Sequence, residues 1–216
     1  TPHIKISTLY NPSMSYELFL EPFMVPAVLH LLLCCCVAFA IGQEFKRNTF
    51  AEWVNPQQIV SSFLGKILVY VCIFCFWTWS WMFWLAHIRG YFIAGSLSLI
   101  LIAQFLLYFA YAVISSTVVL ATKDLPKTFG FIALYGGSSP SFSGITLPLN
   151  NAPAFTQFWS MIIPYTPYAK LQTEQWVIGS ALWVSLLPFG ILIIFSALYF
   201  ALSIRLLRKN TLEQRS

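Results

Sequence analysis

Charge is what this sequence has least of. Charged side chains make up 9% of its 216 residues, while 58% are hydrophobic and the mean hydropathy is +0.74. Such a chain lies outside the soluble globular range and reads as an integral membrane protein. Its net charge of +5 would suggest a nucleic-acid partner in a soluble chain. Here the basic residues fall in short loops between apolar runs, so they report membrane topology, and no nucleic-acid partner is expected. Histidine is scarce too, with only His3, His30 and His87. The five cysteines, Cys34, Cys35, Cys36, Cys72 and Cys75, all sit within apolar runs and read as small buried hydrophobes. Cys72 and Cys75 form a CxxC with no His or acidic co-ligand nearby, so no metal site is expected. HExxH, GxSxG and GxxxxGK[ST] are absent; the one Gly-Lys pair, Gly65-Lys66, follows SSFL and leads into an apolar run. No catalytic residue and no directly bound cofactor is therefore expected.

What is present is a succession of long apolar runs. Crossing the hydrocarbon takes about 20 apolar residues as helix. Five runs qualify: Pro22–Ile41, Ile67–Ala86, Phe92–Leu120, Thr128–Leu147 and Val177–Leu202. They predict an all-α polytopic membrane protein with five transmembrane helices over 22–216, preceded at 1–21 by a polar, extended segment. One side carries Lys46, Arg47, Lys66, Lys123, Lys127, Arg205, Arg208, Lys209 and Arg215, against Lys5, Arg89 and Lys170 on the other. The excess of Lys and Arg predicts that the first group, with the C-terminus, is cytoplasmic. Five spans then put Thr1 outside, although TPHIKISTLYNPSMSYELFLEPF has no basic start and no short apolar core of a signal peptide. The expectation is a longer polypeptide with at least one earlier span.

Two stretches between the runs are unusual. Gly136–Lys170 is filled with Gly, Pro, Ser and Asn, yet also holds Phe142, Ile145, Phe155, Phe158, Trp159 and Met161. An ordinary external loop with surface helices is one reading. The apolar content favours a segment that dips into the bilayer, where broken backbone survives only against protein or a watery cavity. On the other side, GQEFKRNTFAEWVNPQQIVSSFLGK predicts a short amphipathic helix fixed at Gly42. Phe45, Phe50 and Trp53 share one side, Glu44, Lys46, Arg47 and Glu52 stay wet, and Pro56 ends it. It reads either as an interfacial helix on the lipid or as a docking knob for a cytoplasmic partner. Within the spans, His30 is the one ionisable side chain, and Gln104, Ser115 and Ser116 join it as candidates for interhelical bonds or for a transport path.

Taken together these stretches resemble the membrane subunits of type-2 ABC exporters, in the subgroup with a large external domain between its first two spans. Tyr10-Asn11-Pro12 with Phe19 and Pro22 resembles the approach from that domain to the second span. Glu44 through Glu52 (EFKRNTFAE) resembles the family's cytoplasmic motif, with Asn48 where Gly is usual, and Gly65-Lys66 the pair that opens the third span. Ser143-Gly144-Ile145-Thr146-Leu147-Pro148, Ala152-Pro153, Pro164 and Tyr168 resemble its re-entrant external hairpin. The likeness covers essentially the whole chain. It implies a permease in a bacterial-type plasma (inner) membrane, paired with a second permease subunit as a homo- or heterodimer among membrane lipids. ATP is hydrolysed by a separate ABC ATPase subunit docked on a coupling helix at Glu44, Phe45, Lys46, Arg47, Thr49, Phe50, Glu52 and Trp53. Ser143, Gly144, Pro148, Pro153 and Pro164 shape the hairpin, and amphipathic or lipid-like cargo suits the composition. A membrane-embedded enzyme and a passive channel or scaffold are the alternatives from other classes.

Overall fold

The computed structural model describes residues 16–146 and 149–213. Residues 1–15 of the segment expected at 1–21, and Pro148, lie outside the described residues; 16–21 are helical instead of extended, as the first turns of α1. Along the chain, α1 runs Tyr16–Arg47, α2 Phe50–Trp53, α3 Ile59–His87, α4 Leu97–Thr122 and α5 Leu125–Tyr135. Then come α6 (Ser139–Phe142), α7 (Ala154–Ile162) and α8 (Tyr165–Gln172), a π-helical segment Thr173–Ile178, a 3₁₀ turn Leu182–Ser185, and α9 (Leu186–Glu213). No strand occurs among the described residues.

Four stretches are long and apolar enough to cross a membrane: Leu20–Arg47, Ile59–His87, Leu97–Thr122 and Leu182–Glu213. The fourth expected run, Thr128–Leu147, is not one of them. Its helix stops at Tyr135 after 11 residues, about 16 Å of rise and half the hydrocarbon thickness. Gly136-Gly137, then Ser138 and Pro140, are poor helix interiors, and the chain turns there before the single turn of α6. The other ends also move. The third span begins at Leu97 instead of Phe92 because the amides of Ala94 and Gly95 donate to Trp176 and Gln175 (3.2 and 2.8 Å), which holds 91–96 out of the helix. The last begins beyond Gly179, whose φ of 71° only glycine adopts freely and whose missing Cβ leaves room for the Ala94 carbonyl. It then runs on past Leu202 to Glu213, carrying Arg205, Arg208 and Lys209 as part of the helix.

At the centre stands α4. More than half of its most apolar stretch is buried (56%), against 22% for α3. It holds α9 parallel to itself through a ladder that repeats every seven residues. Ser196 Oγ donates to the Leu106 carbonyl (3.4 Å), Ser203 Oγ to Val113 (3.0 Å) and Asn210 Nδ2 to Leu120 (2.9 Å). A seven-residue repeat is the spacing at which two gently crossed helices keep the same faces together. Helix α3 is peripheral, so Cys72 is exposed on its outer side while Cys75 is buried. The expectation that every cysteine is buried is corrected there, because a helix packed on one side keeps only one stripe inside.

Contacts fix the relative heights of the short helices. Leu125, at the start of α5, packs on Gly42 near the end of α1 that bears Lys46 and Arg47. The turn after α5 reaches His30, halfway along α1. Helix α8 starts against the same histidine, with the Tyr165 ring 5.4 Å away, and the segment after it reaches Ser96 at the head of α4. Asp124 caps α5 through the Lys127 amide (3.0 Å), and that hydrogen bond holds its carboxyl below the usual range.

A Cβ on Gly42 would lie 2.3 Å from Leu125 Cδ2, whereas Gly130, on the same helix pair, has no atom within 4 Å of that position. Gly42→Val should therefore lower stability by about 1–3 kcal/mol through overpacking, while Gly130→Ala should be neutral or slightly stabilising. Thermal unfolding of the two variants in detergent checks this; equal melting temperatures would contradict the packing of α5 on α1.

Candidate functional site

Two clusters gather the polar and aromatic groups, one at the basic end and one halfway along α1. At the basic end, α1 does not stop at Gly42 to release a separate amphipathic helix, as the sequence suggested. It continues through Gln43–Arg47, and the break comes at Asn48, with φ 58°. Asn tolerates that left-handed backbone better than most side chains. A single turn, α2, follows.

Glu44 is not free for a partner in this arrangement. Its carboxylate takes an ion pair from Lys66 on α3 and a 2.5 Å hydrogen bond from Thr49 Oγ1. The Thr49 amide also donates to the Glu44 carbonyl (3.0 Å). Lys66 Nζ lies 4.1 Å over the Trp53 ring, and Phe50, completely buried, stacks on Phe45 (4.6 Å) and meets Trp53 edge-on (5.6 Å). A cation shared between a carboxylate and an indole face, both partly screened from water, binds better than a fully exposed pair. The foot is thus joined to α1 and α3 at once. Left on its exposed surface are Lys46, Arg47, Asn48, Ala51 and Glu52, while Phe45, Thr49 and Trp53 are half-buried.

The second cluster centres on His30, fully buried. Its Nδ1 lies 3.1 Å from the Pro26 carbonyl and its Nε2 3.2 Å from the Gly136 carbonyl. The ring sits 4.2 Å from Tyr111 and 5.4 Å from Tyr165. Around it, Tyr111 and Ser139 share a 2.6 Å hydrogen bond, Tyr165 donates to the Phe23 carbonyl (2.6 Å), and Tyr135 donates to the Ile162 carbonyl. Each bond ties α1 or α4 to the interrupted stretch between α5 and α8, or that stretch to itself. Ser115 donates to the Cys34 carbonyl (2.7 Å), joining α4 to α1, whereas Ser116 bonds back to Ala112 in its own helix (2.7 Å). Gln104 donates to Met82 Sδ (2.8 Å) and Tyr168 (3.4 Å). His30, Gln104, Ser115 and Ser116 are all fully buried; the first three join separate elements, and Ser116 bonds only within α4.

Farther along, Ser143 Oγ donates to the Pro140 carbonyl (2.8 Å), Gly144 has φ 84°, and Pro153 and Pro164 stand immediately before α7 and α8. Trp159 donates to Ser138 (3.0 Å), anchoring α7, whose Phe155, Phe158 and Met161 are exposed. Sequence reasoning missed the tyrosines that complete the His30 cluster and the buried Glu174. That carboxylate accepts from Ser185 (2.7 Å), which in turn accepts from Gln175 (2.9 Å). The signal was an acid and an amide side by side between Tyr168 and an apolar run. Among the described residues no group of three or more His, Cys, Asp or Glu could hold a metal ion.

These features define a multi-pass helical membrane protein with a rigid foot at its basic end and a broken, side-chain-tethered segment toward the other. The family model described as ABC-2 family transporter protein matches residues 1–205. The chain belongs to that family and is a permease component of an ABC transporter. No curated protein matches the sequence.

Replacing His30 by Leu removes the ring's contacts with the Pro26 and Gly136 carbonyls, while the Gly136 carbonyl keeps the Ser139 amide (3.1 Å), so the expected loss is that of one hydrogen bond, about 1 kcal/mol; thermal unfolding in detergent should register that loss, and an unchanged melting temperature would show the contact to be idle. Glu44→Gln and Lys66→Met should each destabilise, and the double variant should lose less than the sum of the two, as expected for directly coupled groups. Additive losses in the same unfolding assay would mean that the pair is not coupled.

Proposed function

We propose that this chain is one permease subunit of an ATP-driven exporter, that two such subunits enclose the path, and that a separate ATPase subunit docks on the foot. The observation that carries the reading is the foot itself: a turn locked to α1 and α3 through Glu44, Lys66, Phe50 and Trp53, with Lys46, Arg47, Asn48 and Glu52 left exposed. A docking surface that transmits force must be stiff underneath and polar on top. Phe50 supplies stiffness from inside, and Lys46, Arg47 and Glu52 supply the contact. On this reading the foot and the C-terminus are cytoplasmic, as the clustering of Lys and Arg at that end supports.

The same proposal gives the interrupted stretch its place. Helices α5 and α8 together make the fourth of five crossings, split at the level of His30, and α6 and α7 form a hairpin that re-enters the bilayer between them. The heights fixed by Leu125, Gly136, Tyr165 and Gln175 support it. Cargo is amphipathic or hydrophobic, in keeping with the chain's shortage of charge.

Co-purification of the permease with its ATPase tests the docking. Lys46→Glu and Glu52→Arg change exposed side chains, so each should cut recovery of the ATPase and transport together while leaving the melting temperature of the permease unchanged. Single exposed ion pairs contribute about 0–1 kcal/mol, so the double change should be clearly stronger than either alone. Full ATPase recovery with both residues reversed would sink the assignment.

A further inference from the structure

One cavity of the described chain lies apart from the His30 cluster, with none of that cluster's residues in its lining. It opens between the first turns of α3 and the last turns of α9, has a volume of about 900 Å³, and is lined by Gln57, Gln58, Ser61, Gly65, Arg208 and Thr211 among others. Leu64 forms part of its wall and also part of a second cavity of about 350 Å³. That second space is a slot between α4 and α9, walled by Phe105, Leu106, Phe109, Ile193 and Phe200. Its one polar lining residue, Ser196, turns its hydroxyl into the Leu106 carbonyl. A chamber that mixes Arg208 and a few polar side chains with Ile59, Val60 and Leu212 thus adjoins a wholly apolar slot through one shared leucine.

We propose that this paired cavity binds one anionic phospholipid of the leaflet at the basic end, its phosphate in the chamber and an acyl chain in the slot. Charge selects the head. Arg208 has no ion-pair partner among the described residues, and its planar guanidinium suits phosphate. The amino end of the 29-residue α3 faces the same chamber, and its N-cap residue Gln58 makes no side-chain cap, so its first amides add to the positive field. The acids near by are spent elsewhere: Glu213 on Lys123 and Lys209, Glu44 on Lys66. Length selects a lipid over a free phosphate. From Arg208 to Ile193, both lining residues, α9 rises roughly 22 Å, which matches half of a bilayer of about 40–45 Å with its headgroups. A soluble anion would have no use for the slot, and an acyl chain alone none for Arg208.

The test is lipid retention by the full permease, reconstituted in vesicles of phosphatidylcholine with a minor share of phosphatidylglycerol and re-extracted in mild detergent. Retained phosphatidylglycerol should exceed its share in the vesicle by roughly fivefold, the factor one basic residue supplies near an anionic surface. Arg208→Gln should return it to that share. Lys209→Gln, next along the helix and outside the cavity lining, should leave the enrichment intact. Gly65 lines the chamber with no atom within 4 Å of its Cβ position, so Gly65→Trp should project an indole into the chamber and abolish retention. Retention at the vesicle composition, or enrichment indifferent to both Arg208→Gln and Gly65→Trp, would overturn the proposal. So would efficient cross-linking from Val60→Cys to a second permease chain or to the ATPase, since protein would then occupy the groove. ATPase recovery does not enter the measurement, so the docking reading and this one can fail separately.

Discussion

Backbone amides and carbonyls that leave a helix at membrane depth need partners, and that need governs how the rest of this chain is arranged. At the interruption the Gly136 carbonyl accepts from the Ser139 amide in a tight turn and lies 3.2 Å from His30 Nε2, and Tyr111 with Ser139, Tyr135 and Tyr165 hold the same region through side chains. Because these tethers start on α1 and α4, the two helices must stand close and in register around the break. The small residues and short side chains along them, including Cys34, Ala38, Ala110 and Ala112, all buried, let them do so.

The α4–α9 pair answers the same need differently. Neither helix is broken over that length, so their backbones are already satisfied, and what remains is to fix one against the other where surrounding lipid is as apolar as the helices themselves. Three polar side chains seven residues apart accomplish this, each donating to a carbonyl of α4 that also serves its own helix. A bond of this kind adds on the order of 1 kcal/mol. Three in line also exclude a shift of register, because a slide of one residue would leave all three donors in hydrocarbon.

Long apolar runs were legible in the sequence, and so were the unusual character of 136–170 and the importance of EFKRNTFAE. Run length reports hydropathy, however, and cannot see where a helix stops within an apolar stretch. Phe131, Ile132 and Leu134 are as apolar as any membrane helix, so Thr128–Leu147 counted as a span although Gly136-Gly137 ends the helix. Likewise Glu44 and Lys66 lie twenty-two residues apart, and nothing local says that they meet; a helical wheel drawn through 43–54 puts Glu44 in water. Ser196, Ser203 and Asn210 carried a readable seven-residue signal that hydropathy averages away. His30 stood out because it is ionisable, whereas its tyrosine partners passed as ordinary aromatics.

The two clusters share α1, and this bears on how force could travel. The foot is bonded to α1 through Glu44 and to α3 through Lys66, so a push on α2 cannot be absorbed by either helix alone. Arg47 lies seventeen positions beyond His30 on unbroken helix, about 25 Å of stiff rod. At its far end the His30 ring sits against Gly136 and Tyr165, the two edges of the interruption. Meanwhile α4 and α9 are locked in register, and Ser115 ties α4 to α1 at Cys34. A tilt of α1 is therefore felt first where the fourth apolar stretch is already broken. Bending an existing break takes less energy than bending a helix, so on the proposed docking a displacement at the foot would fall first on the discontinuity beside α1 and least on the unbroken bundle.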